Sequence, residues 1–178
     1  FVSTTNIDTG QRFPTYILRV GIFKNINTKI TIPSLNKVFN IFTKGEQNRT
    51  YLYLQKIIKS SSNKIVNQII NDIINTMPTD IWDEKNELFS SDAPMSWEDI
   101  DTLFSKNVII GSHAHNHFIF HQNQSDEDII EELTVSKQKI LDRYKKCEYF
   151  CYPNGAIHEI SHLSYNSVAD NFKLAFTT

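Results

Sequence analysis

From Asn107 to the end, short apolar runs alternate with amphipathic ones, and this alternation constrains the fold more than any other feature. Asn107-Val-Ile-Ile-Gly111 predicts a short buried strand ending at a glycine. Glu148-Tyr-Phe-Cys-Tyr152 predicts a second, stopped by Pro153-Asn-Gly155, and Leu174 to Thr177 a third. A helix is expected to start after Ser125, where Asp126, Glu127 and Asp128 suit the positive helix N-terminus. It continues through Ile129, Leu133, Ile140 and Leu141 to about Tyr144. Another helix is expected from about Ile157 to Asn171. Strand, helix, strand, helix, strand is the rhythm of a parallel α/β sheet or barrel.

Upstream, the clearest helix is predicted over Asn63 to Met77. Ile65, Val66, Ile69, Ile70, Ile73, Ile74 and Met77 form one apolar stripe at a period of 3.6, ended by Pro78. So regular a stripe is core packing. Ser96 can cap a further helix, with Asp99 three residues on and Trp97, Ile100, Leu103 and Phe104 on one face. Phe1-Val-Ser-Thr4 reads as a strand end, followed by a polar loop through Asn6, Asp8 and Gly10. From Thr15 to Leu54 the pattern is mixed, with Thr28 to Ile32 alternating like a hairpin arm.

At 178 residues, with no repeat or linker, a single domain is expected over 1–178. The opening at Phe1 without Met and the closing run Lys173 to Thr178 read as a domain fragment. A net charge of −2 argues against nucleic acid or an anionic membrane surface as main partner. No apolar run approaches the ~20 residues that span a bilayer. Cys147 and Cys151 carry no zinc pattern of their own, and Cys151 reads as a small buried hydrophobe.

Four of the six histidines, His113, His115, His117 and His121, fall within nine residues directly after a predicted strand. Strand ends are where parallel α/β folds place ligands and catalysis. After a helical turn His113 and His117 would face one metal, while an extended chain would align His113, His115 and His117. A surface histidine cluster, or a structural hydrogen-bonding role, is the alternative. Phe150-Cys-Tyr-Pro-Asn-Gly155 is a tight turn at another strand end, and the backbone N–H of Asn154 there is a candidate oxyanion donor.

In this order and context, these segments resemble the polysaccharide deacetylase family, the NodB-homology domain of carbohydrate esterase family 4. Met95-Ser-Trp-Glu-Asp-Ile and Asn107-Val-Ile-Ile-Gly-Ser-His-Ala-His-Asn-His117 resemble the family's "W-x-x-[IL]…IGSHTxxH" stretch, with Ala114 in place of Thr or Ser. Glu131-Glu-Leu-Thr-Val-Ser-Lys137 resembles "E-[IL]-x-x-S-K", and Tyr149-Phe-Cys-Tyr-Pro-Asn-Gly155 resembles "FxYPNG". Phe1-Val-Ser-Thr4 and Leu174-Ala-Phe-Thr-Thr178 resemble strands ending "FFVST" and "AFTT".

The resemblance implies a distorted, partial (β/α) barrel, with a mainly helical insertion over about 11–92. It implies metal-dependent removal of N-acetyl groups from the amino sugars of a bacterial glycan, by hydrolysis of a linear amide C–N bond. His113 and His117 match two metal ligands of one divalent ion, zinc being expected. The Asn154 N–H matches the oxyanion donor, and Tyr152 and Pro153 would contact substrate. His115 is read as pocket lining or a spare surface group, and His121, His158 and His162 as surface or helix residues. The family's Asp-Asp motif, which supplies the base and a third ligand, belongs before Phe1, and its general-acid His after Thr178. Localisation stays open; the resemblance implies the cell envelope or secretion. The alternative is a catalytically incomplete carbohydrate-binding or assembly module of the same fold. A further alternative is an amidohydrolase acting on a non-sugar amide.

Overall fold

The computed structural model describes residues 1–82 and 93–177. The expected end of the insertion at Asp92, and Thr178, lie outside the described residues. The chain forms two compact units, one from Phe1–Gln11 with Pro94–Thr178 and the other from Arg12–Ala93.

The first unit holds α1 (Thr4–Thr9), α5 (Trp97–Ser105), α6 (Asp126–Tyr144), β3 (Tyr149–Cys151), α7 (His162–Asn171) and β4 (Leu174–Phe176). Strands β3 and β4 pair in parallel, Phe150 opposite Ala175. Ser112 bridges in parallel to Val2 on one side and Phe150 on the other. Four segments thus lie side by side in the order Val2, Ser112, Phe150, Ala175. Val2 N–H donates to the Gly111 carbonyl (2.9 Å), His113 N–H to Val2 (2.8 Å) and Cys151 N–H to Ser112 (2.9 Å). A β-carbon on Gly111 would sit 2.8 Å from the Phe1 ring and 2.9 Å from the Tyr149 carbonyl, so close approach of the backbones explains the glycine. Phe150 is fully buried among Ile100, Phe120, Leu133, Ile140 and Val168. The arrangement is mixed α/β with parallel pairing, and the described residues form no closed barrel.

Three local expectations are corrected here. The run Asn107 to Gly111 is not a buried strand: Val108 and Ile109 are 42% and 67% exposed, and pairing begins at Ser112. Asn107 has φ 63°, and the N–H groups of Asn107 and Val108 turn back to the carbonyls of Phe104 and Leu103, which removes them from any ladder. The expected loop after Thr4 is instead helix α1, ended by Gly10 at φ 69°. The helix expected from Ile157 is a 3-10 turn over Ile157–Glu159, followed by α7 with Ser161 as its N-cap.

The second unit holds α2 (Pro14–Phe23), β1 (Lys29–Ile32), β2 (Lys37–Asn40), α3 (Lys44–Ser60) and α4 (Asn63–Ile74). Strands β1 and β2 form an antiparallel hairpin, of which the sequence pattern showed one arm. The apolar stripe of α4 buries Val66, Ile69, Ile70 and Ile73 against Leu18, Ile22, Ile30, Leu54 and Ile58. Gly21 lets α2 approach: a β-carbon there would lie 2.1 Å from Ile73 Cγ2.

Both expected caps on the first unit's long helices are present. Ser96 accepts from Asp99 N–H while Asp99 accepts from Ser96 N–H, and Ser125 accepts from Asp128 N–H.

Candidate functional site

The loop after Ser112 is neither helical nor extended. Ala114 has φ 66° and His117 φ 60°, both left-handed, so the backbone bends at two positions within the loop. These bends place the rings of His113 and His117 4.7 Å apart, centroid to centroid, at an interplanar angle of 76°. His113 Nδ1 lies 2.7 Å from the Cys151 carbonyl, which can only accept. The proton therefore sits on Nδ1, and the Nε2 lone pair is left for a ligand. Burial pushes the His113 pKa down, partly opposed by that bond. Burial, then the neighbouring His113 ring, pushes His117 down to about 4. Both imidazoles are thus held neutral, the form that binds metals.

His115 points into a different environment. Its Nδ1 lies 2.7 Å from Thr4 Oγ1 and 3.1 Å from Thr5 Oγ1, while its carbonyl accepts from Ser3 Oγ (3.0 Å) and Thr5 N–H (2.9 Å). The Thr4 N–H donates to the Ala114 carbonyl at 3.4 Å. The first N–H groups of α1, which Ser3 does not cap with its side chain, are satisfied by this loop. His115 is neither a spare group nor part of the His113–His117 pair; it anchors the loop to α1. His121 is buried rather than on the surface, its Nδ1 accepting from Asn123 N–H. His158 and His162 are exposed, as expected.

The turn after β3 is left-handed at Asn154 (φ 60°) and Gly155 (φ 56°), and Pro153 is buried. The Cys151 carbonyl links this segment to His113. Tyr152, expected to contact substrate, has its ring in the core: it is 4% exposed, 5.0 Å from Phe150 and 5.9 Å from Phe120. Its hydroxyl donates to the Ser164 carbonyl at 3.4 Å, and burial pushes its pKa up to about 12. The reason is that Tyr152 continues the alternation of β3 into the aromatic cluster. Tyr152 also borders a cavity of about 610 Å³ with Ile160, Tyr165, Phe172 and Leu174, which neither His113 nor His117 lines. Both cysteines are free thiols; Cys147 is the buried one and Cys151 is half-buried.

Sequence reasoning missed the buried polar groups beneath the loop. Ser112 and Ser136 share a hydrogen bond at 2.8 Å. Glu132, 3% exposed, accepts from Asn116 N–H at 2.7 Å and from Asn116 Nδ2 at 2.6 Å. Burial pushes the Glu132 pKa up to about 7, against the pull of those donors. The available signal was positional: Glu132 and Ser136 share the α6 face of Ile129, Leu133 and Ile140, where a charged residue needs partners.

Among the described residues, no group of three or more His, Cys, Asp or Glu side chains converges as a metal cage, so the pair stands as two donors. Nor is any described helix long and apolar enough to cross a membrane. The family model for polysaccharide deacetylase matches residues 34–169. The chain belongs to the polysaccharide deacetylase family. The match spans the histidine loop, α6 and the turn after β3, and leaves Val2 and β4 outside it. Membership brings the NodB-type fold, a hydrolase of amide bonds and a glycan substrate as the family's class. No curated protein and no solved structure gives a significant match.

Proposed function

We propose that this chain takes part in the metal-dependent hydrolysis of N-acetyl groups on the amino sugars of a glycan, within a partial (β/α) barrel interrupted by Arg12–Ala93. The observation that carries the reading is the His113–His117 pair, 4.7 Å apart after the paired Ser112, with His113 Nδ1 tied to the Cys151 carbonyl. Two neutral imidazoles, one with its tautomer fixed from behind, fit a borderline-soft divalent ion, and zinc is our assignment. Such an ion supplies, when bound, Lewis acidity toward an acyl oxygen and a lowered pKa for water.

The chain's own groups have separate tasks. His113 and His117 hold the ion. The Asn154 N–H, on the left-handed turn that follows β3, is assigned to the acyl oxygen as negative charge develops there. Pro153 stiffens that turn beside the sugar, and the ring of Tyr152 supports it from the core.

Elemental analysis of the chain beside His117→Ala tests the metal assignment. About one zinc per parent chain, lost in a variant that still folds, supports it; equal content in both overturns it. Acetate release from N-acetylglucosamine oligomers tests the reaction. Oligomer binding without acetate release would assign the chain to glycan binding instead.

A further inference from the structure

The loop carrying the histidine pair is held in a conformation that L residues avoid. Ala114 and His117 are both left-handed, and such backbone persists only where its surroundings fix it. Hydrogen bonds between Ser112 and Ser136, from His113 Nδ1–H to the Cys151 carbonyl, and between the Thr4 and Thr5 hydroxyls and the His115 ring fix its first part. Its last part, immediately before His117, is gripped by a different kind of group.

Glu132 on α6 is a carboxyl buried to 3% exposure on a face otherwise built of Ile129, Leu133, Ser136 and Ile140. A leucine would suit that face better by itself, since a buried carboxylate is costly unless fully bonded. Here both oxygens are used on one residue: one takes the Asn116 backbone N–H (2.7 Å), the other the Asn116 side-chain amide (2.6 Å). Asn116 Oδ1 in turn accepts from Thr5 Oγ1 at 2.7 Å, so the amide cannot flip without breaking two bonds. The clasp fixes the orientation of the residue whose carbonyl begins the peptide to His117.

We propose that Glu132 is a positioning residue for the metal centre: through its two-point hold on Asn116 it keeps His117 in the left-handed conformation that turns the ring toward His113. The proposal rests on the reading of His113 and His117 as metal ligands. Glu132 touches neither ion nor substrate; it acts through Asn116. Support of this type ordinarily changes metal affinity by ~10–100-fold.

The test is a swap of partners. In Glu132→Gln an amide N–H at position 132 meets the Asn116 amide, and in Asn116→Asp two carboxyls face each other. In the double variant an amide at 132 donates to a carboxyl at 116 while its oxygen still accepts the backbone N–H, so complementarity returns. Zinc affinity is measured by competition with a chromophoric chelator at pH 8, beside the melting temperature of each metal-free protein. The expected result is zinc binding weakened ~10–100-fold in each single variant and restored close to parental in the double. Should a single variant not fold, Asn116→Ala removes only the side-chain leg and is expected to weaken zinc while the metal-free protein stays folded. Folded single variants that bind zinc like the parent overturn the proposal. So does a double variant that regains stability but not zinc, because the clasp would then serve packing alone. A folded parent that binds no zinc overturns the metal reading itself, and this proposal with it.

Discussion

Backbone strain and buried polarity are distributed unevenly between the two units. Of the six described non-glycine residues with positive φ, five (Asn107, Ala114, His117, Lys145 and Asn154) lie in the unit of Phe1–Gln11 and Pro94–Thr178; Arg12–Ala93 has Asn36. Among the described residues, nine of the twelve buried polar ones lie in the first unit, including Ser112, Glu132 and Ser136. The second unit is built from isoleucines on regular faces and a short hairpin. Charge divides the same way: Arg12–Ala93 has eleven Lys and Arg against seven Asp and Glu, the remainder seven against thirteen. The acidic excess that disfavours polyanionic partners is therefore concentrated in the unit that carries the histidine pair. The second unit departs from local preference at Asn36, while the first does so at five positions, two of them, Ala114 and His117, in the histidine loop. Such departures mark where structure has been kept for chemistry rather than for stability.

Removing the centre of the first unit's core should have the largest effect. Phe150→Ala deletes a fully buried ring from a cluster with Phe120, Tyr152 and Phe172, and a loss of ~3–5 kcal/mol is expected in chemical denaturation. A loss below 1 kcal/mol would mean that polar contacts, not packing, hold this unit together.

Second in size is a pH effect peculiar to the first unit. The folded protein holds the Glu132 proton more tightly than the unfolded chain does, with a pKa raised to about 7 from 4.5. Its contribution is therefore fully present below about pH 4.5 and lost as pH rises through about 7, a change of roughly 3 kcal/mol. Glu131 nearby adds to the rise, while the Asn116 donors and the His115 N–H oppose it. Denaturation midpoints from pH 4.5 to 8 should fall in the parent and be flatter in Glu132→Gln; parallel curves would remove Glu132 from this role.

The close approach of α2 and α4 gives the third prediction, in the second unit. Gly21→Ala places a methyl 2.1 Å from Ile73 Cγ2 and should destabilise by ~1–3 kcal/mol. Combining it with Ile73→Ala should cost less than the two singly, and zinc affinity should not change. A fall in zinc affinity would end the division of labour drawn between the units.

The smallest effect should be equal in both. Ser96→Ala and Thr43→Ala each break a capping box, one in each unit, and each should cost ~1 kcal/mol by thermal melts. Unequal losses would show that the surrounding unit, rather than the local motif, sets a cap's worth.

What could be read from the sequence follows from how far apart the deciding partners lie. The α4 stripe and the Ser96 and Ser125 caps depend on neighbours three or four residues away; the caps appear as expected, and so does the stripe except at Ile65, which is exposed, and Met77, which lies beyond the helix end at Ile74. Helix α1 was illegible because Thr-Thr-Asn-Ile-Asp-Thr has no apolar period, and its first N–H groups are satisfied by carbonyls at 114 and 115. Val108 and Ile109 looked buried because a β-branched run after a helix usually is, yet the turn at Asn107 takes their backbone out of the sheet. The histidine spacing pointed to His113 and His117, but neither conformation considered for the loop was the one adopted. Two left-handed residues bring the rings together, a geometry that spacing alone does not encode. Glu132 lies in the Glu131 to Lys137 stretch with nothing local to give it a role, since its partner Asn116 is sixteen residues away.

The bonds between α1 and the histidine loop also bear on how the chain acquires its shape. Thr4 meets His115 across 111 positions of sequence, and all of Arg12–Ala93 lies between these partners. Contacts of such long range slow folding, because the entropy of closing the loop must be spent before any contact repays it. During synthesis from the N-terminus, Phe1 to Thr9 must wait without its partners until residue 116 has emerged. The intervening unit is compact by itself, so it can fold in that interval and shorten the effective loop. Order of assembly would then follow order of translation: the regular unit first, the histidine loop and its N-terminal anchor afterwards.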